Sequence, residues 1–153
     1  MKRSHWKPEC SSPKRYAFLV TQAQKWTIRR ARTSDIRAIA ALIEPLVEAR
    51  VLLGKDLVVL YEAVQEFTVA TTPSGDVVGC GALHVFWENL GEIRTLAVSP
   101  DHLGEGIGTA LVGALEEQAR ELGLDTLFCL TFEVEFFRRN GFHFQDDQIV
   151  DPE

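Results

Sequence analysis

The sequence predicts an α/β fold: a mixed sheet, antiparallel over its first strands and then crossing over, flanked by helices. Three observations predict it. Strand-like segments from Phe67 to Val98 are separated by the turn chemistry of Pro73-Ser74-Gly75-Asp76 and Asn89-Leu90-Gly91. An amphipathic helix over Ile107–Leu122 follows, with Leu111, Val112, Leu115 and Ala119 on one face. A further apolar segment, Thr126–Thr131, then returns the chain to the sheet. With 153 residues, 46% of them hydrophobic and 25% charged, the chain suits one globular domain with a real core.

The elements are expected in this order. Residues 1–25 form a basic N-terminal extension with Pro8, Pro13 and paired serines, expected to be partly disordered or docked, and Tyr16–Val20 could supply a short docking element. Trp26–Ala31 reads as the first strand. Thr33 or Ser34 offers an N-cap to a helix marked by Ile36, Ile39, Ala40 and Ile43. Pro45 is expected to kink or end that helix, with Leu46–Leu53 as a further helical piece and Gly54-Lys55-Asp56 as a break. Leu57, Leu60, Tyr61 and Val64 mark another short helix. Strands follow at Phe67–Thr71, Val77–Trp87 and Glu92–Val98, and the small residues Gly79-Cys80-Gly81-Ala82 imply close backbone approach or a bulge. Gly123 reads as the left-handed residue that closes the long helix. Thr126–Thr131 reads as a buried strand, Glu133–Asn140 as a short helix closed by Gly141, and Phe142–Val150 as a final strand.

Composition narrows the function classes. No apolar run approaches the roughly 18–20 residues that span a bilayer, and the basic start lacks the apolar core of a secretory signal. Cys10, Cys80 and Cys129 are odd in number and far apart, and the four histidines lack paired spacing. That argues against a disulfide framework and against a metal site, and a reducing cytoplasm is the expected home. The net charge of −6 divides into +8 over residues 1–32 (nine Lys/Arg, one acidic) and −14 over residues 33–153 (seven Lys/Arg, 21 acidic). The basic tail can signal nucleic acid, a membrane surface or an organelle address, or can lie on its own acidic body, which is the favoured reading. The acidic body speaks against nucleic acid as a partner.

One segment carries recognisable chemistry. An apolar strand ends at Val98, Ser99-Pro100 follow, and Gly104-x-Gly106-x-Gly108-Thr109 leads into a helix. Glycines let a ligand approach the backbone closely, and the first helical amides point outward without partners at the positive end of the helix dipole. Such a turn suits a pyrophosphate. It is neither a Walker A loop nor the GxGxxG dinucleotide fingerprint, whose third glycine would come one residue later.

With Val98-Ser-Pro-Asp-His-Leu-Gly-Glu-Gly-Ile-Gly108, the chain resembles the GNAT family of N-acetyltransferases, whose V-x-P-x-x-[R/Q]-G-x-G-x-G turn grips the pyrophosphate of acetyl-CoA. The resemblance covers roughly residues 27–145. It departs at Leu103, where the family usually has Arg or Gln, so that the amides of 104–109 must suffice. More narrowly, the segments 52–70, 77–98 and 127–142 resemble short amino-acid N-acetyltransferases of the N-acetylglutamate synthase type. The resemblance implies a central, mostly antiparallel sheet splayed at the cofactor site, with acetyl-CoA as acyl donor and no metal.

It also implies residue roles. The backbone of Leu96, Ala97 and Val98 would run along the pantetheine arm, with an amide donating to the thioester oxygen. Gly104, Glu105, Gly106, Ile107, Gly108 and Thr109 would cradle the pyrophosphate. Glu92 is placed to accept the amine proton, or is simply an exposed carboxylate at a strand edge. Arg94, on the same strand face as Glu92, suits a substrate carboxylate, or else a salt bridge within the sheet. Lys55 is a second carboxylate contact or a solvated loop lysine. The family often has a tyrosine as general acid where this chain has Phe137; Phe136 and Phe137 read as core, one of them free to face the pantetheine. Cys129 reads as a structural thiol and His84 as a satisfied histidine.

The function expected is amino-acid N-acetylation at the α-amine of L-glutamate or L-glutamine, the first step of arginine biosynthesis. The alternatives are acetylation of another small amine or a protein N-terminus, and a non-catalytic acyl-CoA-binding module. Residues 26–153 would form the acetyltransferase domain, with a small-molecule amino-acid substrate, a homodimer as one possibility and no nucleic-acid or membrane partner. Against the family's pattern this domain reads as truncated at its C-terminus, where further segments normally contribute to the last strand and the acceptor site. The basic extension and a partner subunit are candidate substitutes.

Overall fold

The β-meander is the part of the fold that local sequence specifies most directly. In the computed structural model, which describes residues 25–52 and 54–145, four strands lie side by side in chain order, each antiparallel to the last: β1 (Thr27–Arg30), β2 (Phe67–Thr71), β3 (Val77–Val85) and β4 (Leu90–Val98). The Thr72–Asp76 turn sets the register of β2 against β3: Thr72 N–H donates to the Asp76 carbonyl at 2.9 Å, and Asp76 N–H to the Thr72 hydroxyl at 3.1 Å. A helix, α3 (Ile107–Leu122), then crosses over, so that β5 (Thr126–Phe128) joins parallel to β4.

Each face of the sheet buries a different helix. α1 (Ile36–Glu48) puts Ile36, Ile39 and Ile43 against Phe67, Val69, Cys80, Ala82 and Ala97, with Leu60 of α2 (Leu57–Glu62) in the same cluster. On the opposite face, Ile107 and Leu111 of α3 pack on Ala70 and Val78, while Val112, Leu115 and Ala119 meet Leu83 and Ile93. The glycines of β3 serve this packing. A Cβ at Gly79 would lie 2.7 Å from Ile107 Cγ2, and one at Gly81 would lie 2.9 Å from Leu96 Cδ1. The close approach expected at Gly79–Ala82 is therefore present. The accompanying bulge has its extra residue on the other strand: Cys80 faces Ala97 and Ala82 faces Arg94, so Gly81 opposes both Thr95 and Leu96.

Several boundaries differ from expectation for local reasons. The first helix is capped by neither Thr33 nor Ser34. A 3-10 turn at Thr33–Asp35 precedes it, and the Asp35 carboxylate accepts from the Arg32 amide at 2.7 Å. The same carboxylate takes the fork of Arg29 at 2.7 and 2.9 Å, so the turn is tied to β1. Pro45 does not end α1, which runs on to Glu48. Ala41, whose carbonyl loses its donor there, is exposed, as is Pro45, so the gap in the helix ladder lies on the solvent side rather than in the core. The strand expected over Thr126–Thr131 stops at Phe128 and is half-exposed rather than buried. α4 (Val134–Arg139) follows, and Gly123 and Gly141 adopt the left-handed conformation expected of them, with φ of 82° and 89°. Of the final strand expected at Phe142–Val150, Phe142–Gln145 has no regular structure and 146–150 lies outside the described residues. Tyr16–Val20 and Cys10 lie outside them as well. No helix among the described residues is long and apolar enough to cross a membrane.

Candidate active site

The site begins where β4 loses its neighbour. β5 pairs with β4 only from Leu90 to Glu92, so the edge of β4 from Ile93 to Val98 has no strand partner among the described residues. This is the splay that the sequence led us to expect. Thr95 sits in the bulge with φ of 56°, a left-handed conformation that a β-branched residue rarely adopts, and it is buried. The bulge resets the alternation. Arg94 shares a face with Glu92 before it, and after it Ala97 returns to the α1 face while Leu96 packs towards α3. The Ser99 amide donates to the Val78 carbonyl across β3 at 2.8 Å. Alternation along the strand then turns Ala97 towards β3 and points the amides of Val98 and Leu96 at the open edge.

The glycine turn follows directly. Pro100–His102 forms a short 3-10 turn, and α3 starts at Ile107. Gly104 and Gly106 have φ of 77° and 84°, and a Cβ on either would meet nothing within 4 Å among the described residues. The turn thus needs left-handed residues and leaves open space above them. The first intrahelical bond is Ala110 N–H to the Gly106 carbonyl at 3.0 Å, so the amides of Ile107, Gly108 and Thr109 have no helical partner. Ile107 offers only its amide, because its side chain is buried beneath Gly79. Gly108 is where α4 closes on the turn: a Cβ there would lie 3.0 Å from the Phe136 ring. Phe137 is buried in the core, edge-on to Phe136 and Phe142, so its position offers no proton donor.

A second group gathers at the other end of β4, on the α1 face. Lys55, Glu92 and Arg94 line one cleft of about 1190 Å³ together with Thr95, Phe128 and Cys129. The glycine turn does not line this cleft; the open edge of β4 leads from one to the other. Burial and then the like charge of Arg94 lower the Lys55 pKa, while Glu66 and Glu92 act the other way. Lys55 itself is partly buried. Among the described residues, the Arg94 guanidinium makes one long ion pair, 3.9 Å to Glu66, and its Nε is buried without a hydrogen-bond partner. An ordered guanidinium so poorly satisfied is suited to receive an anion. His84 pairs across the strands with Glu92 and holds the Glu66 carboxylate through Nδ1 at 2.7 Å, as a satisfied histidine. Cys129 is half-buried just past β5, and burial together with the Glu92 charge pushes its pKa up to about 11. Cys80 is fully buried and is pushed up to about 12. Neither thiol is activated as a nucleophile.

Sequence reasoning missed two of these residues. Glu66 directly precedes β2, and only the register Phe67 opposite Ala82 brings it beside His84. The bulge at Thr95 did leave a trace: the polar and apolar alternation of Glu-Ile-Arg breaks at Thr95-Leu96.

Comparison with known proteins agrees with this geometry. The family described as Acetyltransferase (GNAT) family matches residues 25–142. An amino-acid acetyltransferase of Mycobacterium tuberculosis is 58% identical over 117 residues, 75% of this chain and 67% of that protein. The crystal structure of Rv2747 from Mycobacterium tuberculosis in complex with CoA and NLQ superposes with a TM-score of 0.78 at 54% identity, over 82% of this chain and 76% of that one. N-acetylglutamate synthase from Neisseria gonorrhoeae, complexed with coenzyme A and N-acetyl-glutamate, superposes with a TM-score of 0.71 at 37% identity, over 74% of this chain but only 27% of the synthase. The chain belongs to the GNAT acetyltransferase family. Acetyl-CoA is the acyl donor of such an enzyme, and the open space above Gly104 and Gly106, with the free amides behind them, fits its pyrophosphate.

Proposed function

We propose that this chain transfers the acetyl group of acetyl-CoA to the α-amine of an amino acid, L-glutamate or L-glutamine, as the opening step of arginine biosynthesis. The observation that carries the reading is the convergence of Lys55, Arg94 and Glu92 in one cleft beside the open edge of β4. Relatives named for amino-acid acetylation, and a solved synthase holding N-acetyl-glutamate, support the acceptor class.

Each residue has a part in this scheme. Bound acetyl-CoA supplies an acyl group activated as a thioester. The amides of Gly104–Thr109 hold the pyrophosphate, and those of Leu96 and Val98 are available to the pantetheine arm and the thioester oxygen. Arg94, with Lys55, binds the acceptor carboxylate and so orients the amine. Glu92 takes the proton that the amine loses, directly or through water. With phenylalanine at 137, the departing thiolate takes its proton from solvent.

Release of free thiol from acetyl-CoA, measured with each of the twenty amino acids and with polyamines, tests the reading. Turnover confined to glutamate or glutamine is the expected result. Release with polyamines alone would overturn it in favour of a cationic acceptor. Tight acetyl-CoA binding without release for any amine would mark a binding module.

A further inference from the structure

Between Arg94 and Arg120 the chain contains no lysine or arginine, yet Asp101 and Glu105 place two carboxylates on the turn that receives a pyrophosphate. Leu103, 67% exposed, offers no polar side-chain atom. His102 is the one side chain of this turn able to carry positive charge. Its Nδ1 lies 2.6 Å from Glu105 Oε2, with both side chains about three-quarters buried, at 27% and 25% exposure.

From this pairing we infer that His102 is a phosphate-binding residue for the acyl-CoA, and that Glu105 is the carboxylate that holds its ring in place. The donor count gives the reason. A neutral imidazole that donates from Nδ1 to Glu105 leaves Nε2 as an acceptor. Phosphate oxygens at this pH also accept. Only the imidazolium, with a proton on each nitrogen, can serve the carboxylate and a phosphate together. In that form it also cancels the Glu105 charge, which would otherwise oppose the cofactor. The cofactor therefore binds together with a proton.

The other charges around the turn leave this role to His102. Asp101 adds a further carboxylate on its own segment, and α3 has no charged residue before Glu116. On α4, which reaches the turn through Phe136, Glu135 and Arg138 pair with each other at 3.2 Å, and Arg139 is exposed. The sign follows directly. The protonated ring binds the anion, so affinity falls as rising pH removes the ring's proton.

Calorimetric titration with dephospho-CoA at pH 6 and pH 8, in two buffers of different ionisation enthalpy, tests the inference. This probe lacks the 3′-phosphate, whose own protonation falls in the same window. The expected result is binding about fivefold tighter at pH 6 than at pH 8, with net proton uptake. His102→Gln should bind at the weaker, pH-8 level at both pH values, without uptake. Glu105→Gln should bind more tightly than the unmodified chain at pH 8. A His102→Gln variant with the same pH slope would overturn the inference, and so would a Glu105→Gln variant with unchanged affinity at pH 8. A purely structural pair would change the melting temperature but not the proton count. If His102→Gln melts early, the Glu105→Gln titration and the proton count of the unmodified chain decide.

Discussion

The two ends of β4 are built on different principles. At its C-terminal end, the turn from Val98 to Thr109 is one contiguous stretch whose ligand-facing groups are largely backbone amides, exposed because Gly104 and Gly106 adopt φ of 77° and 84°. At its N-terminal end, Lys55, Glu66 and His84 come from separate segments and meet Glu92 and Arg94 of β4 only through the strand register and the packing of α1 and α2. A site made of backbone conformation is local. Such a site is expected to tolerate the loss of an ancillary side chain at Leu103 but not a change of backbone. A site made of side chains is the reverse: each member can be removed singly, and each removal has its own signature.

Four substitutions sharpen or break this contrast, in order of expected size. Gly106→Val puts a β-branched residue at φ of 84° and fills the open space above the turn. It should weaken acetyl-CoA binding by about 100-fold or more, from strain of roughly 1–3 kcal/mol together with direct occlusion. Titration calorimetry reads this, and near-normal affinity would mean that the turn is not a backbone cradle. Glu92→Gln should lower kcat by about 100-fold, the low end for a general base, with little change in either KM. A kcat that does not change would reduce Glu92 to a strand-edge carboxylate. Arg94→Ala should raise the acceptor KM by about tenfold, as expected for a lost charge-assisted hydrogen bond, while acetyl-CoA binding stays as it was. An equal rise in both would show the two regions to be coupled.

The smallest functional effect belongs to the scaffold. Asp35→Asn removes the carboxylate that holds Arg29 and the Arg32 amide, and should lower stability by about 2 kcal/mol in urea unfolding while leaving kcat per folded molecule unchanged. Arg29 holds the Asp35 pKa below the ordinary carboxylate value, chiefly through its hydrogen bond. The pair's contribution is therefore present above the unfolded carboxylate pKa of about 3.9 and is lost as pH falls through the lower, folded value. Acid unfolding of Asp35→Asn should lack that portion of the transition.

The meander, the long helix and the glycine turn were legible because each has a short-range signature: period-2 or period-3.6 patterning, glycine spacing and turn residues. Pro45 does not end α1, one of the two outcomes expected there, because both Pro45 and Ala41 lie on the exposed face of the helix. Thr126–Thr131 looked like a buried strand because it is apolar. Its ending at Phe128 depends instead on where β4 and β5 diverge. Glu66 has no signature of its own, since a carboxylate before a strand is commonplace until His84 and Arg94 are seen beside it.

The sequence by itself determined the family, the order of the elements and the location of the glycine turn, because those depend on residues close together in the chain. The tertiary structure alone decided that Thr95 carries the bulge, that the amides of Leu96 and Val98 are on the open edge, that Lys55, Glu92 and Arg94 line one cleft, and that Glu66 stands beside Arg94. Register and charge proximity are properties of pairs distant in sequence, and only packing brings those pairs within reach of each other.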